Sequence, residues 1–225
     1  MSGWVAQPWP DAPVLDGRYT RLERLSTDHA ADLFQANRTD DAIWDWLFYE
    51  PFTRIEDYTD WVADRAQAKD AFYYAIRAED GRWGGVASFM RIKAEAGSIE
   101  IGDINISKGL QRSRAATEAL TLTIGWAFEA GYRRLEWKCN ALNLPSRRAA
   151  QRLGLSYEGI FRQALVVKGR NRDTAWYAAI DGEWPDLKAA YESWLDPANF
   201  DDEGGQIRRL TDLTAPVLTA RDPTL

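Results

Sequence analysis

What most narrows the folding options of this chain is a run of three β-rich segments between residues 71 and 106. They read "AFYYAIRA", "RWGGVASFMRI" and "SIEIGDINI", and they are separated by "EDG" and "EAG". Each segment is dense in aromatic and β-branched residues, and each separator is a short acidic turn ending in glycine. Connections this short join antiparallel neighbours, because a parallel crossover needs a dozen or more residues. The spacing predicts a meander. The residues that follow, "SRAATEALTLTIGWAFEAG", carry apolar positions at helical spacing and predict a long helix that starts at Ser113 and stops before Gly131.

On the N-terminal side, "RYTRLERL" alternates as a strand and "TDHAADLFQAN" has helical spacing. A second helix is predicted in "TRIEDYTDWVADRAQAKD", where Thr53 and Glu56 form a capping-box pattern and Ile55, Tyr58, Trp61, Val62 and Ala66 share a face. Beyond the long helix come a strand "RRLEWKCN", a short helix "SRRAAQRLG" opened by Ser146 and closed by Gly154, a hairpin of "EGIFRQALVV" and "DTAWYAAI" around "KGRNR", and a last helix "EWPDLKAAYESWL". This order predicts a mixed α/β (α+β) sheet in one domain, with antiparallel N-terminal strands and helices on both faces. The strand, helix, strand unit from about 98 to 140 predicts a parallel, right-handed pair, and ligands meet such pairs at the strands' carboxyl ends. Three segments are expected: an extension rich in Pro and Trp at 1–17, the domain at 18–200, and a polar, flexible tail at 201–225.

No stretch approaches the roughly 18 apolar residues of a membrane span, and residues 1–17 lack the apolar run of a secretory signal. The expectation is a soluble cytoplasmic protein, monomeric or homodimeric, without a membrane partner. One cysteine and one histidine exclude an internal disulfide, a Cys/His zinc site and a dithiol redox pair. His29 is expected at the surface, in the first turn of its helix. Any general base is therefore a carboxylate or a water molecule. The formal charge of −6 is unevenly spread: residues 108–172 hold thirteen Lys or Arg against four Glu, inside an otherwise acidic chain. Such a basic segment suits a polyanionic ligand.

Three motifs fall at related places in this order: "EIG" in the fourth predicted strand, "QRSRAATEA" opening the long helix, and "NLPSRRAAQRLGLSYEG" beyond it. Together they make the chain resemble the GNAT superfamily of acyl-CoA N-acyltransferases, and within it the RimJ/RimL branch, from about Arg18 to about Asp201. The resemblance implies a parallel splayed pair at the donor site, acetyl-CoA or another acyl-CoA as donor, and no metal. It implies an amine acceptor, either a peptide N-terminus or a small molecule, that attacks directly in a ternary complex without an acyl-cysteine.

It also implies roles for particular residues. The turn formed by Gln111, Arg112, Ser113, Arg114, Ala115, Ala116 and Thr117 would offer backbone N–H groups to the CoA pyrophosphate, and Arg152 would join the donor set. Arg114 stands where relatives carry a central glycine, so it either adds contacts to phosphate or alters donor binding by its bulk. Asn143 and Ser146 lie beside the thioester and pantetheine; Ser146 either donates to the departing thiolate or simply caps its helix. An amine of pKa about 10 is neutral only about once in a thousand at pH 7, so a base helps. Glu100 is one candidate. Asp103 is the other, facing the opposite side of the strand unless a bulge intervenes. The same bulge would turn a backbone N–H between Ile104 and Ile106 toward the thioester carbonyl. Trp44, Trp46, Tyr49, Phe52 and Phe89 are the candidate acceptor wall, with core packing as the alternative for each.

Two other readings stay open. One is transfer from aminoacyl-tRNA, its phosphates tracked by Arg114, Arg147, Arg148, Arg152, Lys168, Arg170 and Arg172. The other is a catalytically idle acyl-CoA-binding module. Cys139 alternates with Trp137 and Leu135 and is expected to be a buried packing residue.

Overall fold

The computed structural model describes residues 3–225. The chain divides into two compact units between Trp126 and Ala127. In the first, β1 (Val14–Asp16), β2 (Arg21–Arg24), β3 (Ala71–Arg77), β4 (Trp83–Lys93) and β5 (Ser98–Ile106) lie side by side in chain order, every pair antiparallel. Helices α1 (Ala30–Asn37) and α2 (Ile55–Ala66) separate β2 from β3, and α3 (Arg114–Glu129) follows β5. The meander and the long helix stand where their sequence patterns put them.

Both faces of β3 are covered, which is why its first six residues are buried. Tyr73 and Ala75 pack with Leu33, Phe34, Tyr58 and Val62 of α1 and α2. The alternate residues face α3: Phe72 meets Tyr74, Tyr74 meets Phe89, and Phe89 lies 5.0 Å from Trp126. Each large side chain buried here is worth about 1.5–3 kcal/mol relative to exposure.

Four local expectations change. Residues 1–17 contribute β1, which pairs with β2 through Val14 and Glu23, and Trp4 Nε1 donates to the Glu95 carbonyl at 2.8 Å. Helix α2 starts after Arg54 without a side-chain cap, so Thr53 does not form a capping box. His29 is buried rather than exposed, with its ring 4.4 Å from that of Trp83 and its Nδ1 accepting from the Ser26 N–H at 3.0 Å. Burial lowers its pKa against the opposing pull of Glu23, so it is a neutral core residue.

The second unit contains β6 (Arg134–Asn140), α4 (Leu144–Arg152), β7 (Ser156–Val167), β8 (Arg170–Ile180), α5 (Trp184–Leu195) and α6 (Leu210–Thr214). Its strands run in the order β6, β8, β7, with antiparallel pairs. Gly154 ends α4 at φ 83°, where a Cβ would collide with Leu187 and come within 3.1 Å of Thr214. The fourth change lies in the polar segment 201–225, which is folded. Leu210 and Thr214 are fully buried, Asp222 is 3 % exposed, and the Thr214 hydroxyl donates to the Arg152 carbonyl at the end of α4. Buried hydrogen bonds hold a segment whose composition signals only polarity. Among the described residues no helix is long and apolar enough to cross a membrane.

Candidate functional site

The first unit carries a strand irregularity with a chemical consequence. Val86 pairs with Asn105 and Ser88 with Gly102, so Asp103 and Ile104 together oppose the single residue Ala87. This is a β-bulge, and Asp103 sits in it at φ 48°, a conformation that short polar residues tolerate better than most. Upstream the pleat alternates regularly: Ile101 pairs with Phe89 on the α3 side, while Glu100 pairs with Met90, which packs against the cluster on α1 and α2. A regular strand would send Asp103 to the α3 side; the extra residue returns it to the side of Glu100. There its carboxylate accepts from the Tyr49 hydroxyl at 3.0 Å and the Tyr73 hydroxyl at 2.8 Å.

Burial, reinforced by the Asp103 charge, pushes both phenols well above the usual tyrosine pKa. They therefore remain protonated donors. Asp103 itself is half-buried and makes no ion pair among the described residues. Glu100 differs: it is 2 % exposed, and its Oε1 lies 2.5 Å from Nη1 of Arg91.

Beside Asp103 stands an aromatic wall. Trp44, Tyr49 and Phe52 lie 5.6–5.9 Å apart, and Trp61 is 5.2 Å from Tyr49 and 5.8 Å from Phe52. Trp44 and Phe52 also line a cavity of about 260 Å³, together with Phe34, Asn37, Arg38 and Thr53. Two of the sequence candidates do not join this wall. Trp46 is exposed, and Phe89 is fully buried against α3 on the opposite face. Tyr73 and Trp61 belong to the arrangement but were not candidates. Tyr73 stood out only as one of several aromatics in a strand, and Trp61 only as part of an amphipathic helix.

The turn before α3 is built by its own side chains. Ser113 Oγ accepts from the Ala116 N–H at 3.0 Å and donates to the Leu110 carbonyl at 2.7 Å, capping α3 as its position in the sequence predicts. Arg112 takes φ 62°, and Gln111 Nε2 donates to the Ile106 carbonyl at 2.9 Å. Small residues follow, and Ala115 and Ala116 are buried. Arg114 does not stand alone: its Nη2 is 2.7 Å from Glu79 Oε2 and its guanidinium carbon is 4.5 Å from the Tyr19 ring centre. Glu118, one turn on, accepts the N–H groups of Arg18, Tyr19 and Thr20 at 2.6–2.9 Å. Gly17 is required beside it, since a Cβ there would run into that carboxylate.

In the second unit Asn143, not Ser146, caps α4: its Oδ1 accepts from the Ser146 N–H at 3.1 Å. That decides one alternative. Ser146 Oγ instead accepts from Trp137 Nε1 at 3.0 Å, and its hydroxyl also hydrogen-bonds the Cys139 thiol. Cys139 is 6 % exposed, and burial pushes its thiol above the usual value despite a hydrogen bond with Ser146. Arg152 is half-buried over the Trp194 ring at 5.0 Å. Arg147 is buried in an ion pair with Asp222 at 2.6 Å, and Arg172 is buried too, so a basic track through either residue is not what the fold provides. Among the described residues no cluster of three His, Cys, Asp or Glu side chains is arranged to hold a metal.

Residues 20–156 match the family model described as an acetyltransferase (GNAT) domain. The chain belongs to the GNAT family of acetyltransferases. It is similar to the crystal structure of a GCN5-related N-acetyltransferase from Brucella melitensis, at 41% identity over 96% of this chain and 100% of that one, with a TM-score of 0.93. A GNAT-family structure from Chromobacterium violaceum is 38% identical over 82% of this chain and 94% of that one, at a TM-score of 0.78. A RimL ribosomal L7/L12 alpha-N-protein acetyltransferase in complex with coenzyme A shares the fold, at 24% identity over 75% of this chain and 98% of that one and a TM-score of 0.65. No curated protein compared matches the chain. This GNAT protein is thus a mixed α/β acetyltransferase.

Proposed function

We propose that this protein moves an acetyl group from acetyl-CoA to a primary amine, that the acceptor is a peptide N-terminus, and that Asp103 receives the amine's proton. The reading rests on one observation above all: a half-buried carboxylate turned by a bulge onto the face that packs against α1 and α2 and oriented by two phenols beside an aromatic wall. A base has to reach the reacting nitrogen. Glu100, buried and paired with Arg91, is less suited to that than Asp103.

The bond changes balance simply. The amine nitrogen attacks the thioester carbonyl, a C–N bond forms, the C–S bond breaks, and the ammonium proton passes to Asp103 directly or through water. We assign polarisation of the carbonyl to backbone N–H groups in Ile104 to Ile106, the part of β5 just beyond the bulge. For the departing thiolate, whose conjugate acid has a pKa of roughly 8.5, we assign the Ser146 hydroxyl as hydrogen-bond donor. Trp137 already supplies a hydrogen bond to that oxygen, and the hydroxyl proton turns from the Cys139 sulfur to reach the thiolate.

Donor phosphates are assigned to the N-terminal turn of α3, where small residues give access and the helix end carries partial positive charge. The residues fit this use, with one adjustment: Arg114 must leave or share Glu79 to touch phosphate. The peptide acceptor follows the RimL relative, which acts on a ribosomal protein's alpha-amine, and Trp44, Tyr49 and Phe52 are its candidate wall. Burial of Arg147 and Arg172 weighs against aminoacyl-tRNA.

The test is CoA release measured over a panel of N-terminal peptides and small amines. Asp103→Asn is expected to lower kcat by roughly 10²-fold or more, and Glu100→Gln by far less. Acetyl-CoA binding with no turnover on any amine would establish the idle module instead.

A further inference from the structure

We propose that Asp222, near the C-terminus, is a positioning residue for donor binding: by fixing Arg147 it sets where Asn143 and Ser146 stand at the start of α4. The inference rests on the donor reading above. Its physical basis is a closed hydrogen-bond system inside the second unit.

Arg147 follows Ser146 directly, and its side chain is 7 % exposed while that of Asp222 is fully buried. All three guanidinium nitrogens donate. Nε and Nη2 donate to Asp222 Oδ2 at 2.9 and 2.6 Å, Nη2 also to Thr224 Oγ1 at 2.7 Å, and Nη1 to the Ala141 carbonyl at 2.8 Å. Asp222 Oδ2 accepts the Tyr177 hydroxyl as well, and its Oδ1 accepts the Thr224 N–H at 3.0 Å and the Thr224 hydroxyl at 2.9 Å.

These contacts converge on one place. Ala141 opens the turn that leads to Asn143, which caps α4, so a single side chain ties the turn, the helix start and the terminal segment together. Asp222 touches α4 again one turn later, where its N–H donates to Gln151 Oε1 at 2.8 Å. The terminal segment is itself anchored to the start of β7, through Thr219 N–H to Ser156 Oγ at 3.0 Å and Tyr157 N–H to the Ala220 carbonyl at 3.1 Å. Without the Asp222 charge, the guanidinium stays buried with its counter-ion gone and pulls the turn and helix start toward a new partner. Ser146 is the neighbouring residue, so the donor side moves first.

The experiment compares wild type, Asp222→Asn, Arg147→Gln, the double variant and Thr224→Ala, each confirmed folded at the assay temperature by circular dichroism. Acetyl-CoA Kd is measured by calorimetry, and kcat and both KM values with the best acceptor from the panel. Asp222→Asn is expected to raise acetyl-CoA Kd and KM about tenfold and, because Ser146 also serves the departing thiolate, to lower kcat by up to about tenfold, within the roughly 10²-fold that a misplaced group can cost, while the amine KM stays within about twofold. Asp222→Asn should add nothing in the Arg147→Gln background, the signature of action through that residue. Thr224→Ala should raise the acetyl-CoA Kd about two- to threefold, as loss of one hydrogen bond predicts, and it decides the matter if Asp222→Asn does not fold. A folded Asp222→Asn, or failing that Thr224→Ala, with wild-type Kd overturns the inference alone. Wild type that binds no acetyl-CoA overturns the donor reading and this inference with it.

Discussion

Asp103 and Asp222 are built from the same parts and put to opposite use. Each is an aspartate that accepts hydrogen bonds from tyrosine hydroxyls. Around Asp222 a guanidinium, a threonine and a backbone N–H complete the shell, and its side chain has no exposure. Asp103 has two phenols and no ion pair among the described residues, and it remains partly open. A carboxylate whose lone pairs are all engaged by fixed partners holds structure together. One that is oriented but incompletely neutralised is available to take a proton. Charge balance and access, rather than residue type, separate the two roles.

That contrast breaks most clearly on activity. Asp103→Asn keeps the shape but removes the basicity, and kcat should fall by roughly 10²-fold or more with acetyl-CoA affinity unchanged; steady-state assays with calorimetry check this, and unaltered kcat ends the catalytic assignment. The next effect is on stability. Asp222→Ala strands a buried guanidinium and should cost about 3–5 kcal/mol in urea unfolding.

The pH dependence of that cost has a definite sign. Burial alone would raise the Asp222 pKa, but hydrogen bonds from Tyr177, Thr224 and Arg147 outweigh it and hold the group below the ordinary 3.8. A depressed native pKa stabilises above the unfolded value and loses that contribution as pH falls through the native one. The stability gap between wild type and Asp222→Asn should therefore be constant from neutral pH down to about 5 and narrow below 3.8. A gap that widens with acid contradicts the ion-pair account.

A smaller effect belongs to Tyr73→Phe, which removes one of the two bonds orienting Asp103. About tenfold in kcat is expected, since a hydrogen bond to a charged group is worth about 1.5–3 kcal/mol. Smallest of all is Cys139→Ala. The thiol is buried and its pKa is raised, so turnover should stay within about twofold and alkylation of the native protein should be slow. A folded but inactive Cys139→Ala would return the chemistry to the cysteine.

Much of this was legible along the chain, because it is local. The meander at 71–106 followed from strand composition and short turns, and the start of α3 at Ser113 from a serine preceding a helical pattern. What escaped was set by distant partners or by a choice between equivalent local options. Either Asn143 or Ser146 suits a cap; the Trp137 indole engages Ser146 and Asn143 does the capping. A bulge in β5 was anticipated only through the family likeness, and nothing in the sequence pointed to Tyr73 as its partner, 30 residues away. The ordered terminus depends on a pair 75 residues apart, invisible to any composition window. His29 looked exposed by residue type and is buried because Trp83 and Ser26 supply its contacts.

The central claim is best tested by kinetics of Asp103→Asn and Asp222→Asn side by side, with acetyl-CoA and one peptide acceptor varied in turn. The account predicts a split result: Asp103→Asn loses kcat by roughly 10²-fold or more with its acetyl-CoA KM intact, and Asp222→Asn raises its acetyl-CoA KM about tenfold with a much smaller loss of kcat. Wild-type kcat in Asp103→Asn, or the same pattern in both variants, would contradict it.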